Sequence, residues 1–218
     1  MTKAVLWDLD GTIVDSGELH WLAFQETMAA EGVALTYAEF ASFFGWKNDR
    51  ILRRLLGEDA AADHITRLGD LKEVRFRALA ATHGVQALPG VIDWITRLRE
   101  EGWKQSIASS APRENIKAML GALGLLDAFD AIVASEDVGA GKPDPEVFLT
   151  AAARVGATPA TSIVVEDAAA GVEGARRAGM RVIGVVDLTL PADIVVAQLS
   201  DLPADAFDRL IVKASDPA

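Results

Sequence analysis

Short β-branched runs alternate with helical segments along most of the chain, and this alternation limits the fold more than any other feature of the sequence. Strands of about four to six residues, the usual length, are predicted over Ala4 to Trp7, Gln105 to Ala108, Ala131 to Val133, Ser162 to Val165 and Arg181 to Val186. Between them lie helical patterns: Gly90 to Glu101, with Ile92, Ile95 and Leu98 on one face, then Pro112 to Leu120, Pro145 to Val155 and Ala168 to Ala178. Start and stop signals bracket several of these, among them Asp144 ahead of Pro145-Glu146 and the glycines Gly102, Gly156 and Gly179 behind helical runs. Strand-helix alternation predicts the α/β class: a three-layer, Rossmann-like core in which a parallel sheet carries helices on both faces.

From about residue 16 to residue 85 the rhythm breaks. No convincing strand occurs there, and helices are predicted over Glu18 to Glu31, Tyr37 to Phe44, Asp49 to Leu56 and within Ala60 to Thr82. An all-helical domain inserted after the first strand is the simplest account. The expected organisation is therefore a discontinuous core, residues 1–15 and 86–218, and a helical domain, 16–85, with hinges near Val14-Asp15-Ser16-Gly17 and His83-Gly84-Val85. Toward the end, Asp193 to Val196 suggests a last edge strand and Ala204 to Leu210 a closing helix.

Composition narrows the function. Half of the 218 residues are apolar, enough for a sizeable core. The absence of cysteine excludes disulfides, thiolate metal sites and a cysteine nucleophile. A formal charge of −11 argues against a broad nucleic-acid or anionic-membrane footprint, so an anionic ligand must meet a few well-placed cations or a metal. The first residues, MTKAVLWDLD, read neither as a secretory signal nor as a membrane span. A soluble, cytoplasmic protein acting as a monomer is expected.

Ligands of open parallel sheets bind beyond the carboxyl ends of the strands. After the first strand come Asp8 and Asp10, after the second Ser109 and Ser110, after the third and its loop Lys142, and after the fourth Glu166 and Asp167. Taken singly, each has an ordinary explanation: a solvated turn, a helix cap, a surface lysine, a carboxylate at a helix start. Taken together they form a set of oxygen donors with one ammonium and one hydroxyl. Clustered carboxylates repel unless a cation joins them, and a hard cation such as Mg²⁺ takes oxygen ligands while leaving places for a substrate phosphate. The collection predicts a magnesium site facing a phosphate.

Asp8-Leu9-Asp10-Gly11-Thr12, Ser109, Lys142-Pro143 and Glu166-Asp167 resemble, in order and spacing, the four motifs of the haloacid dehalogenase superfamily, over nearly the whole chain. His20, Gly141-Lys142-Pro143-Asp144-Pro145 and Val165-Glu166-Asp167-Ala168 look like its β-phosphoglucomutase-like branch of sugar phosphatases and mutases, which carries a helical cap. The resemblance implies Asp8 as the nucleophile that becomes an aspartyl phosphate and Asp10 as the acid and base. It implies Lys142 as partner of Asp8 and of the phosphoryl charge, with Ser109 and its neighbour Ser110 on phosphoryl oxygens. Mg²⁺ would be held by Asp8, Asp167 and the backbone carbonyl of Asp10, with Glu166 either a ligand or a support behind the ligands. Thr12 would fix the loop beside the phosphate or simply stabilise its turn.

Substrate choice would rest with the cap. His20, Lys47, Arg50 and Lys72 are its candidate contacts; the branch places a phosphate-contacting arginine near Phe44 to Arg50, where Asn48 and Arg50 compete for that position. Phe43, Phe44 and Trp46 are expected to pack in the cap core. The expected activity is Mg²⁺-dependent hydrolysis of a small phosphorylated metabolite, a sugar or polyol phosphate. The alternatives are a β-phosphoglucomutase using the same phosphoaspartate and a non-catalytic phosphosugar-binding protein; a dehalogenase is disfavoured by Asp10 and the Glu166-Asp167 pair.

Overall fold

The computed structural model describes residues 1–43 and 46–212, so Phe44 lies outside the described residues. The chain divides into two compact units, one made of Met1–Asp15 and Gln86–Ala218, the other of Ser16–Val85.

The first unit is built on six parallel strands: β1 (Ala4–Trp7), β2 (Lys104–Ala108), β3 (Ala131–Val133), β4 (Ser162–Glu166), β5 (Arg181–Val185) and β6 (Ile194–Val196). Their order is β3-β2-β1-β4-β5-β6. The chain thus winds outward from β1 in one direction and then, from β4, in the other. The β1–β4 boundary is the switch point at which an open parallel sheet forms its crevice. Register is direct there, with Ala4 beside Ser162 and Trp7 beside Val165.

β1 shows why the sheet is parallel. All four of its residues are fully buried, because helices cover both faces and no alternation with polar residues is needed. Ala4 and Leu6 turn to one face, where they join Val147, Phe148 and Ala151 of a helix at Glu146–Arg154 and Val172 and Ala175 of another at Ala169–Arg177. Trp7 turns to the other face, where its ring meets Phe207 of the helix Ala206–Val212 and its indole N–H donates to Gln105 Oε1 at 3.0 Å. Gln105 passes the bond on to the carbonyl of Ile95, in the helix Val91–Glu100, so the polar ends of these two buried side chains are paired. In chain order the helices of this unit that follow β1 are α5 (Val91–Glu100), α6 (Arg113–Ala122), α7 (Glu146–Arg154), α8 (Ala169–Arg177) and α9 (Ala206–Val212).

One terminal detail differs from the expectation. Asp193 does not open the edge strand; its carboxylate accepts from the backbone N–H of Val182 at 2.8 Å and pairs with Arg181, so pairing of β6 begins at Ile194.

The second unit is helical: α1 (Gly17–Ala30), α2 (Tyr37–Phe43), α3 (Asn48–Leu56) and α4 (Ala62–His83). Phe24, Met28, Phe40, Phe43, Ile51, Leu52, Ile65 and Leu68 form its own apolar core. Phe43 packs as expected, whereas Trp46 is exposed and lies under the Arg50 guanidinium, 3.6 Å from the ring centroid. Among the described residues no helix is long and apolar enough to cross a membrane.

Candidate active site

β1 ends at Trp7, and Asp8 still donates its backbone N–H to Val165 of β4 at 3.0 Å, which aligns Asp8 with the end of the neighbouring strand. The chain then turns sharply. The carbonyl of Leu9 accepts from the N–H groups of Thr12, Ile13 and Val14, and Gly11 stands at φ +84°. Only glycine adopts that conformation without strain, and a second constraint applies: a Cβ on Gly11 would lie 2.1 Å from Asp167 Oδ2. The motif glycine therefore serves the adjoining carboxylate as well as the turn.

Asp8 and Glu166, both nearly inaccessible, flank the Lys142 ammonium. Lys142 Nζ donates to Asp8 Oδ1 and, at 2.7 Å, to Glu166 Oε2. The other oxygen of Glu166 accepts the Ala168 N–H at 3.2 Å, so both ends of that carboxylate are engaged. Asp167 Oδ1 accepts from the Thr12 hydroxyl at 3.0 Å, a bond that ties the β1 loop to the β4 loop. Oxygens of Asp8, Glu166 and Asp167 lie within 4.8 Å of one another.

Ionisation in this cluster is strongly perturbed. Burial pushes Asp8 upward, the Lys142 ammonium opposes it, and Asp10 adds to the rise. Glu166 is pushed up to about 8 and Asp167 to about 7, in both cases first by burial and then by the charge of Asp8. Burial works against the charge of Lys142, but the carboxylates of Asp8 and Glu166 override it and hold the ammonium above its usual range. Three carboxylates around one ammonium leave surplus negative charge, and every donor is oxygen. This donor set fits a hard divalent cation of the Mg²⁺ class and not a soft one. Asp10 is half-buried and its carboxylate is outside the three-residue cluster.

Ser109 follows β2, is almost fully buried, and accepts the Ala111 N–H on its hydroxyl oxygen at 3.0 Å, which leaves the hydroxyl proton to be donated. Ser110 is half-buried beside it.

In the helical unit the structure brings His20 and Lys72 together. His20 stacks on Phe76 with ring centroids 4.2 Å apart, and its Nδ1 lies 2.8 Å from Lys72 Nζ. Lys72 is buried between the rings of Phe24 and Phe76 and pairs with Glu73 at 3.0 Å. Glu73 Oε1 also accepts from the amide of Asn48 at 2.5 Å. Lys47 and Arg50 are exposed, and it is Asn48 that joins this group. Sequence reasoning passed over Glu73, because a Lys-Glu pair inside a helix reads as solvated surface.

Two carboxylates hydrogen-bonded to one lysine at the switch point, with a third carboxylate beside them and a serine just past the end of the neighbouring β2, define a class of α/β hydrolase. The chain belongs to the haloacid dehalogenase-like hydrolase family, which it matches over residues 5–185. It is 33% identical to β-phosphoglucomutase of Bacillus subtilis (strain 168) over 92% of this chain and 91% of that one. It is 31% identical to hexitol phosphatase A of Escherichia coli (strain K12), over 96% of this chain and 94% of the relative. Among solved structures it superposes on CbbY from Rhodobacter sphaeroides, determined in complex with phosphate, with a TM-score of 0.87 and 28% identity, covering 95% of this chain and all of that one. The chain is an enzyme of the β-phosphoglucomutase-like branch of this family, as its motifs imply.

Proposed function

We propose that the protein is a Mg²⁺-dependent phosphomonoesterase acting on a small phosphorylated metabolite, a sugar or polyol phosphate, through an aspartyl phosphate on Asp8. The observation that carries this reading is the placement of Lys142 between the carboxylates of Asp8 and Glu166 at the end of the β1–β4 boundary. The names of the relatives, a hexitol phosphatase and a β-phosphoglucomutase, support the substrate class.

In the first half-reaction an Asp8 carboxylate oxygen attacks phosphorus and the bond to the leaving alkoxide breaks, with Asp10 donating a proton to that oxygen. In the second, Asp10 accepts a proton from water, whose oxygen displaces Asp8 and releases inorganic phosphate. Lys142 and the Ser109 hydroxyl bind phosphoryl oxygens, and Glu166 holds the ammonium in place. Asp8, Asp167 and the Asp10 carbonyl would hold Mg²⁺, which neutralises charge on the phosphoryl group. Ser110 lines the same strand end. Residues 16–85 serve as a cap, with His20 and Lys72 as substrate contacts; the exposed Arg50 is the weaker candidate, since Asn48 occupies the bonded position.

A phosphate-release screen over sugar and polyol phosphates, phosphoglycolate and nucleotides, with Mg²⁺ present and then chelated, tests the reading. Release from sugar or polyol esters should need the metal and vanish in Asp8→Asn with the fold intact. Conversion of β-glucose 1-phosphate to glucose 6-phosphate, primed with the bisphosphate and without phosphate release, would show the mutase instead.

A further inference from the structure

The third residue of α8 is a glycine at a helical position where alanine would be favoured by intrinsic propensity. Gly171 has no unusual φ that would call for glycine, unlike Gly11. Space is the constraint. A Cβ added at Gly171 would lie 2.0 Å from Glu166 Cδ, 2.1 Å from Oε2 and 2.5 Å from Cγ. The Glu166 carboxylate thus rests on the bare Cα of the helix that follows it, and the oxygen that would be struck is the one receiving the Lys142 hydrogen bond at 2.7 Å.

We propose that Gly171 is a positioning residue for phosphoryl transfer: by lacking a side chain it lets Glu166 lie where it holds the Lys142 ammonium against Asp8. The inference rests on the reading of Asp8, Lys142 and Glu166 as the phosphoryl-transfer centre. The atoms in conflict belong to the far end of one side chain and not to backbone. An alanine at 171 is therefore accommodated by moving Glu166, at the expense of the ion pair and not of the fold. Glu166 has no room to yield without breaking bonds, since its side chain is 2% exposed and bonded at both oxygens.

A two-by-two set of variants tests this: the native chain, Gly171→Ala, Glu166→Ala and the double variant. Kcat and KM are measured on whichever ester the screen selects, and Tm is measured without substrate. In the native background Gly171→Ala should lower kcat about 10–100-fold, the usual cost of losing a supporting bond around such a site, with KM changed less. In the Glu166→Ala background the same substitution should leave kcat within about twofold, the signature of two residues acting through one contact. Tm should change sign: down in the native background and up by about 2–4 °C in the other, where alanine's helix propensity acts without the clash. If Gly171→Ala alone fails to fold while the double variant folds, the proposal stands on that rescue. It is overturned if Gly171→Ala lowers kcat by the same factor in both backgrounds, if it leaves both kcat and Tm unaltered in the native chain, or if neither variant folds. The Tm comparison needs no turnover, so the steric relationship can hold even where the phosphatase reading fails.

Discussion

Thr12, on the loop after β1, donates its hydroxyl to Asp167, on the loop after β4, across the boundary where the sheet changes winding direction. Two residues separated by 155 positions in the chain are thereby fixed relative to one another at 3.0 Å. Thr12 is itself almost fully buried, so its contact is with the carboxylate and not with solvent.

Thr12→Val keeps the shape and removes that bond. Burial and Asp8 already push Asp167 up to about 7, and the Thr12 hydroxyl acts in the opposite direction, favouring the ionised form. Its loss should raise the half-saturating Mg²⁺ concentration for turnover about 10-fold near pH 7. The deficit should shrink as pH rises and protons compete less. A pH-independent deficit, read from metal titrations at several pH values, would contradict this role.

Metal and protons should also compete in stability. Glu166 and Asp167 have folded values near 8 and 7, above their ordinary values of 4.5 and 3.8. Protons therefore bind the folded state more tightly than the unfolded one. The associated stability is present below the ordinary values and is lost as pH rises through the folded ones. Mg²⁺ on Asp8 and Asp167 requires those carboxylates ionised and should offset the Asp167 part of that loss. Thermal melts should show a larger Tm gain on adding Mg²⁺ at about pH 8.5 than at about pH 6. At about 100 times the dissociation constant the gain at the higher pH is worth roughly 2.7 kcal/mol, about 5–10 °C for a chain of this size. Equal gains at both pH values would count against the cluster as the metal site.

The Lys72–Glu73 pair is a buried ionic contact of the helical unit, with side chains 2% and 10% exposed. Glu73→Gln removes the negative charge facing the ammonium and should destabilise by about 3–5 kcal/mol, the usual effect of removing one partner of a buried pair. Lys72→Met with Glu73→Gln should recover most of that loss, because no buried charge of the pair remains. Urea unfolding followed by far-UV circular dichroism would measure both.

Asp137 joins Arg113 and Arg154 near the start of α6 and the end of α7. The Arg154 hydrogen bond, with the Ala134 N–H and the charges of both arginines, pulls its carboxyl from 3.8 down to about 2. The stabilisation is then complete above the ordinary value and disappears as pH falls through about 2. With the arginines partly exposed, its size is on the order of 1 kcal/mol. Asp137→Asn should lower Tm at pH 7, and the difference should close as pH falls below 3. A difference as large at pH 2 as at pH 7 would mean a cause other than the charge.

Much of this molecule is written locally in its sequence. The apolar run from Ala4 to Trp7 needs cover on both faces, and the helices between the strands supply it, so the parallel sheet follows from the pattern. Because ligands of such a sheet gather at strand ends, Asp8, Asp10, Ser109, Lys142, Glu166 and Asp167 could be picked out as a set with the chemistry of a phosphate site. The break in rhythm after residue 15 marks the helical unit for the same reason.

Which atoms meet was decided only in three dimensions. Periodicity shows the face on which a residue lies but not its partner. Nothing near Thr12 points to Asp167, nothing near Lys72 reveals that Asn48 and not Arg50 would share its carboxylate, and a glycine in α8 looks like a mere weakness in a helix. The sequence by itself determined the fold class, the strand-end chemistry and the family, because these depend on short-range pattern and residue type. Tertiary structure decided how Glu166 divides its oxygens between Lys142 and Ala168 and why Gly171 must be bare, because those depend on chain segments brought within a few ångströms by packing.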